Sequence, residues 1–265
     1  MVVYAGQGDA RFSMDVMWGN RVENLRPGPK PGLTVNVIVE AAIGVADADG
    51  MAGLSMRAVG ERLGRTAMSL YTYVPTKGDL VDLMYDRVLG ELPTHYEPRL
   101  GWRGSVRSWA EDHLEFHLRH PWTLQVSQAR PVLGPNEFAV LETASRILHW
   151  TGLRPPTLRG ILGVVLHFVR GVARTVSESR SAAAATGVSD EDWWYARSPL
   201  LVEVAPDFAE RFPMAIRMED EKPAPLEDPE KPYLESAIVE SFEVGLEMIL
   251  NGIEATIERA RVGSG

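Results

Sequence analysis

The sequence predicts an all-α fold, and three observations carry that prediction. Apolar residues recur at i, i+3, i+4 and i+7 along most of the chain. No segment shows a convincing strand alternation, an internal repeat or a low-complexity tract beyond Ala182–Ala185. Between residues 34 and 92, short helical segments with good caps are separated by glycine and proline stops.

Residues 1–33 have no helical period beyond Met14–Gly19 and read as a flexible basic arm. In Arg26-Pro-Gly-Pro-Lys-Pro-Gly32 the prolines remove donors and restrict their neighbours, which excludes a helix or an inner strand. The first clear helix starts at Thr34, buries Ile38, Ala41, Ala42 and Val45, and stops at Gly50. Ser55 caps a second, short helix whose Met56, Val59 and Leu63 face inward; Gly60 is small where the next helix crosses. Gly64 ends that helix and Thr66 caps the third, which Leu70 and Val74 pin to the core. Ala67, Met68, Ser69, Tyr71, Thr72 and Tyr73 are left to share the outward surface, with core packing as the alternative for Tyr71. Pro75 stops the helix, Thr76-Lys-Gly-Asp79 resembles a capping box, and a fourth helix runs through Leu80, Leu83, Met84 and Val88. These features bound one domain at 34–80 and a second, helical one at 81–265.

In the second domain Val106, Trp109, Ala110, His113, Leu114, Phe116 and His117 form a stripe ending at His120-Pro121. Trp122–Gln128 reads as a short helix, and Asn136 as the cap of a helix to Trp150. Pro155-Pro156 opens a long helix through Leu158, Ile161, Leu162, Val165, Val169 and Val172. A short segment carries Trp193 and Trp194, residues 199–232 read as a proline-rich charged loop, and a last helix spans about 232–261. That helix is apolar on more than one face, with Ile238, Phe242, Gly245, Leu246, Ile249, Ile253 and Ile257, so it needs partners on more than one side. The longest apolar run, Ile161–Val169, is too short to span a bilayer, so no membrane partner is expected.

The chain has 265 residues and no cysteine, which excludes disulfides and thiol chemistry and fits a reducing cytoplasm. Its formal charge is −9, an unpromising sign for a polyanion binder. The charge is unevenly placed: residues 21–78 carry seven Arg/Lys and five Asp/Glu, while residues 79–265 carry a net −10. Because charge acts over a Debye length of about 8 Å, the mildly basic front decides what that end can touch.

Two short helices joined by a tight turn, with hydroxyls, tyrosines and arginines on the polar side, describe a helix-turn-helix, and duplex DNA becomes the expected partner. Leu54-Ser-Met-Arg, Glu61-Arg-Leu-Gly, Ser69-Leu-Tyr-Thr-Tyr-Val and Lys77-Gly-Asp-Leu resemble the N-terminal DNA-binding domain of TetR-family transcriptional regulators, over about 60 residues and without a gap. Arg119-His-Pro-Trp122 and Asp192-Trp-Trp-Tyr195 are similar to TetR-type ligand domains of high-GC bacteria; Gly60 stands where an alanine is common. Thr66, Ala67, Met68 and Ser69, with Tyr71 and Thr72 a turn later, are then the major-groove candidates. Arg57 and Arg65 are candidates for guanine, Tyr73 and Lys77 for phosphates, with a solvated surface lysine as the alternative for Lys77, and Thr34 and Ser55 join the DNA-binding set; Arg26 and Lys30, with Arg21, are candidates for the minor groove or flanking phosphates, against a plain linker.

The resemblance implies a small-molecule inducer pocket and a homodimer. Trp109, Phe116, Trp122, Trp193 and Trp194 supply aromatic surface, and His113, His117, Gln125, Arg130, His167 and Arg170 are candidate polar anchors. The long penultimate helix and the last one, through Leu158, Ile161, Leu162, Val165, Val169, Ile238, Phe242, Gly245, Ile249 and Ile253, are expected to form a four-helix dimer interface, against burial within one chain. His113, His117 and His120 share one helix face, where pocket polarity or end-capping outweighs metal binding, and no metal or cofactor is expected. The expected function is a repressor that leaves a palindromic operator when a small apolar or aromatic molecule binds. The alternatives are an activator, a ligand-independent regulator and, more remotely, a metal-dependent helical enzyme. No phosphate loop, nucleophile elbow or His-Glu-x-x-His supports catalysis.

Overall fold

The computed structural model describes residues 3–20, 32–220 and 235–262; Arg21, Arg26 and Lys30, and the contacts expected of them, lie outside that range. The described elements are β1 (Val3–Tyr4), α1 (Ala10–Met17), α2 (Val35–Gly53), α3 (Met56–Leu63), α4 (Ala67–Tyr71), α5 (Lys77–Leu89), α6 (Gly101–Arg119), a 3-10 turn (Pro121–Gln125), β2 (Val126–Ser127), α7 (Pro135–His149), α8 (Pro155–Thr186), α9 (Asp190–Val204), α10 (Phe208–Arg211), α11 (Pro213–Asp220) and α12 (Glu235–Val262). The fold is all-α apart from the parallel pairing of Val3 with Val126 and Tyr4 with Ser127. Residues 1–173 and 249–265 make one compact unit, and residues 174–248 a second.

In the first unit the core runs without a break from the helix-turn-helix into the helices behind it. Ile38, Ala42, Val59, Leu70, Val74, Leu80 and Met84 belong to the same buried cluster as Phe116, Trp122, Val126 and Val132. Fully burying each large side chain is worth about 1.5–3 kcal/mol, so α5 is held from both sides. A smaller cluster joins Leu153, Ile253 and Ile257 to Trp102, Leu158 and Ile161. In the second unit Val176, Phe242 and Leu246 are buried, and Arg180 pairs at 2.6 Å with Glu235, itself 2% exposed.

Four expectations change. Residues 3–20 are part of the fold: Asp9 caps α1 by accepting from the Phe12 amide, and α5 holds the segment with two carboxylates. Asp79 accepts from the Asp9 amide (2.7 Å) and the Ser13 hydroxyl (3.0 Å), and Asp82 from the Gly6 amide (2.9 Å). An eight-residue helix is too short for its period to stand out, and its anchors lie some 70 residues away. Trp122–Gln128 is a 3-10 turn and a strand rather than a helix. Gly134, not Asn136, is the N-cap of α7, and Asp86 does the capping by accepting from the Asn136 and Glu137 amides, both at 3.0 Å. Of the loop expected over 199–232, the described part up to 220 is largely helical in α9, α10 and α11, with Pro199 inside α9, and residues 221–232 lie outside the described residues.

Candidate functional site

The exposed α4 is built from its neighbours inward. Ser55 accepts from the Ala58 amide at 3.1 Å and starts α3; Gly64 ends it with φ of 62°. Thr66 caps α4, and the Ser69 hydroxyl donates back to the Thr66 carbonyl at 2.7 Å. Gly60 is required by a close approach, because a Cβ there would lie 2.6 Å from the Arg65 carbonyl oxygen. Gly50 adopts φ 66° and ψ −176°, a region open only to glycine, and kinks α2 where the sequence placed its stop. Val59 and Leu70 are completely buried, fixing α4 against α3.

Of the residues expected on this face, Arg57, Arg65, Thr66, Met68, Tyr71 and Thr72 are exposed, with Met68 at 75%. Ala67 and Tyr73 are instead half-buried against the core, since the turn of α4 rotates them inward. Ser69 is half-buried and engaged with Thr66. Thr34 and Ser55 spend their oxygens capping α2 and α3, leaving only their hydroxyl hydrogens to donate. The Lys77 ammonium, a phosphate candidate with a solvated surface lysine as the alternative, donates to the Leu54 carbonyl at 2.6 Å and ties α5 to the end of α2. Arg57 is paired with Glu61 at 2.8 Å, both exposed.

Behind this head lies a cavity of about 360 Å³. Its walls come from α5 (Tyr85, Leu89), α6 (Trp109, His113, Phe116, His117), the segment Val126–Leu133, α7 (Glu137, Phe138, Val140, Leu141), α8 (Leu162, Leu166) and Ala5 beside β1. Trp109, His113, Phe116, His117 and Arg130 were legible in the sequence; Arg130 is exposed at the wall. Trp122 and Gln125 sit elsewhere: the Trp122 indole N–H donates to Asp47 at 2.8 Å, and Gln125 lies near Gly50. His167 is exposed on α8. Arg170 donates to the Leu124 and Val126 carbonyls, both at 2.7 Å, and so braces the cavity wall from behind. Trp193 and Trp194 are exposed in the second unit, with the Arg197 guanidinium 4.6 Å over Trp193. Ala5, Tyr85 and, apart from Arg130, the 126–133 segment were missed: the segment has no helical period, and Tyr85 reads as one more residue of the α5 core face.

The histidines of α6 are not equivalent. His113 Nδ1 contacts the Trp109 carbonyl at 2.7 Å, and burial pushes its pKa down to about 4. His117 Nδ1 contacts Thr123 Oγ1 at 2.8 Å; burial, then the nearby Arg170 charge, lowers its pKa to about 3. His120 does not cap carbonyls as expected: its nitrogens meet the carboxylates of Asp47 (2.8 Å) and Glu91 (3.1 Å). Asp47 ends the first helix of the head, so His120 and Trp122 fasten the cavity helix to the head through one carboxylate. Among the described residues no group of three or more His, Asp or Glu is arranged to hold a metal ion.

The expected interface residues divide. Val165, Val169, Phe242 and Ile253 are already buried within the chain, and Leu162 faces the cavity. Ile238 and Gly245 are half-buried in the second unit, as is Leu158 in the first. Ile161 and Ile249 line a groove of about 450 Å³ between α8 and α12 with Gly160, Val164, Gly252 and Ile253. Val164 is 54% exposed there. By length and composition α8 could cross a membrane, with mean hydropathy 1.3 over its most apolar window and 22% of that window buried, because the helix extends well past the run counted in the sequence.

A solvent-facing helix-turn-helix fused through α5 to helices that line a cavity is the build of a DNA-binding transcriptional regulator. The match to the tetracyclin repressor-like C-terminal domain covers residues 93–257. The transcriptional repressor DrrR1 of Streptomyces coeruleorubidus is 36% identical over 260 residues, 97% of this chain and 90% of that one. A transcriptional regulator of Saccharopolyspora erythraea is 40% identical over 110 residues, 42% of this chain and 47% of that one. ActR of Streptomyces coelicolor in complex with actinorhodin superposes with a TM-score of 0.64 at 25% identity, covering 86% of this chain and 98% of that one. Apo ActR superposes with a TM-score of 0.65 at 23% identity, over 88% and 100% of the two chains. The chain therefore belongs to the TetR family, whose members regulate transcription and are not enzymes.

Proposed function

We propose that this chain is a ligand-responsive repressor: a homodimer binds a palindromic operator and leaves it when a small apolar or aromatic molecule enters the cavity. Residues 34–80 read the duplex, and the helices behind them sense the ligand and dimerise. The observation that carries this reading is the sharing of one core by the exposed α4 and the cavity wall, with α5 common to both. Moving that wall shifts the head, and half-sites about 34 Å apart tolerate little shift. Releasing DNA 100-fold takes only about 2.7 kcal/mol of coupling. The repressor role of DrrR1 and the actinorhodin complex of ActR support the same reading.

Dimerisation is drawn from the exposed apolar face of α8. Lipid or another helix could cover such a face, and Gly160 and Gly252 in the groove favour close packing of a second α8 and α12. Exposed Arg159 and His167 on α8 disfavour lipid, which supports a cytoplasmic protein. The test is fluorescence anisotropy of the protein with duplexes from its own promoter at low salt, then with ligand added. Tight binding reversed by a cavity-bound molecule is expected; no preference for promoter DNA over random duplex refutes the reading.

A further inference from the structure

We infer that the cavity takes an aromatic molecule by a hydrogen-bond donor, a phenolic hydroxyl, which meets the bare Nε2 atom of His117. The inference rests on the cavity being the ligand site and adds the chemistry of what binds there.

The tautomers are set by their partners. A carbonyl can only accept, so His113 Nδ1 carries the hydrogen that reaches Trp109, at 2.7 Å. The Thr123 hydroxyl already donates to the His120 carbonyl at 2.7 Å, so its oxygen accepts and His117 Nδ1 is the donor at 2.8 Å. Both rings are neutral near pH 7, because burial lowers the two pKa values to about 4 and 3. A neutral ring with its hydrogen on Nδ1 has a lone pair and no hydrogen at Nε2. His113 Nε2 is sealed in the wall, with no accessible surface and no hydrogen-bond partner; His117, whose Nδ1 is engaged with Thr123, keeps Nε2 as its acceptor. His117 lines the cavity, so its Nε2 is the acceptor a ligand there can meet.

The surroundings select among donors. Trp109, Phe116 and Phe138 give the cavity aromatic walls. The Arg170 guanidinium, bonded to the Leu124 and Val126 carbonyls behind the wall, sets a positive bias that disfavours an ammonium. A carboxylate brings only acceptors and makes no hydrogen bond to His117 Nε2.

The probes are 2-hydroxyanthraquinone, whose hydroxyl is free of internal hydrogen bonding, 2-methoxyanthraquinone and anthraquinone-2-carboxylate. Binding to the full-length protein is measured by tryptophan quenching, with promoter-duplex anisotropy read in parallel. The hydroxy compound is expected to bind roughly tenfold or more tightly than the methoxy compound, and the carboxylate no more tightly than the methoxy compound. His117→Phe should shrink the hydroxy preference to about twofold while sparing the methoxy compound. Should that variant fold poorly, 15N-histidine NMR of the unaltered protein decides: the Nε2 resonance of His117 moves upfield when the donor arrives. Equal affinity of the hydroxy and methoxy compounds, preference for the carboxylate, no binding of any probe, or an unmoved Nε2 resonance each overturns the inference. If the hydroxy compound binds as expected but leaves DNA bound, the induction reading fails and the ligand chemistry stands. If hydroxy and methoxy compounds bind equally and both release DNA, the reverse holds.

Discussion

Asp47→Ala tests whether one carboxylate joins the cavity helix to the DNA-reading head. Asp47 Oδ1 receives His120 Nδ1 and the Trp122 indole N–H, both at 2.8 Å, and Trp122 is 1% exposed. Hydrogen bonds to a charged group contribute about 1.5–3 kcal/mol each, and an orphaned buried donor costs about 1–3 kcal/mol. The Asp47 side chain is 30% exposed, which screens its charge and lets water serve His120 in part. The expected loss is about 2–4 kcal/mol, or roughly 4–16 °C in Tm at 2–4 °C per kcal/mol. Asp47→Asn keeps an acceptor for the indole and should lose only about 1 kcal/mol. Combining Asp47→Ala with Trp122→Phe isolates the pair, because without the indole N–H the first substitution costs about 1 kcal/mol less. Thermal unfolding by circular dichroism reads the stability, and promoter-duplex anisotropy with ligand reads the coupling, which should weaken. A Tm within about 2 °C of the parent, with strictly additive effects in the double variant, refutes the joint.

Burial, and secondarily Asp79, raises the Asp82 pKa to about 6 against the Gly6 amide, so its ionisation costs stability as pH rises from about 4 through 6; Asp82→Asn should gain about 1–3 kcal/mol at pH 8 and almost nothing at pH 4 in denaturant titrations, and an equal gain at both refutes this. Arg65→Gln, at an exposed cation beside α4, should weaken operator binding about tenfold and reduce the salt slope by about one, measured by anisotropy across salt concentrations. Val164→Glu places a carboxylate in the α8–α12 groove and should shift sedimentation to monomer with little change in helicity, whereas an unchanged dimer moves the interface elsewhere.

The head was legible because its determinants are local. Ser55, Gly64 and Thr66 act within four residues of themselves, and the buried face of α2 repeats at helical spacing. Where the reading failed, the partner is distant in sequence. Asp79 closes the capping box read with Thr76, but it, Asp82 and Asp86 are also buried and serve amides of Asp9, Gly6 and Asn136, contacts the reading did not contain. No period announces such a contact. The histidines were found as a face, but their roles depend on Thr123, Trp109 and Asp47, which spacing on α6 cannot supply. The long apolar helices misled in the opposite direction: Val165 and Val169 have the composition of an interface and are spent on the chain's own core.

The same distant contacts suggest how a ligand could be felt at α4 without a large motion. His117 is tied through the Thr123 hydroxyl to the His120 carbonyl, and the His120 ring to Asp47. Four groups in series, each buried or partly so, leave little slack between the cavity and the end of α2, because a hydrogen bond stretched by half an ångström is mostly lost. A second route runs through α5, where Tyr85 and Leu89 line the cavity while Lys77 holds the Leu54 carbonyl. Two routes converging on the Asp47–Leu54 stretch would make that stretch the hinge, and Gly50 lies in it with dihedral angles no other residue adopts easily. Gly50→Ala should therefore lower ligand responsiveness at intact basal DNA affinity if the hinge flexes there, whereas equal loss of both would make Gly50 only a requirement of the fold.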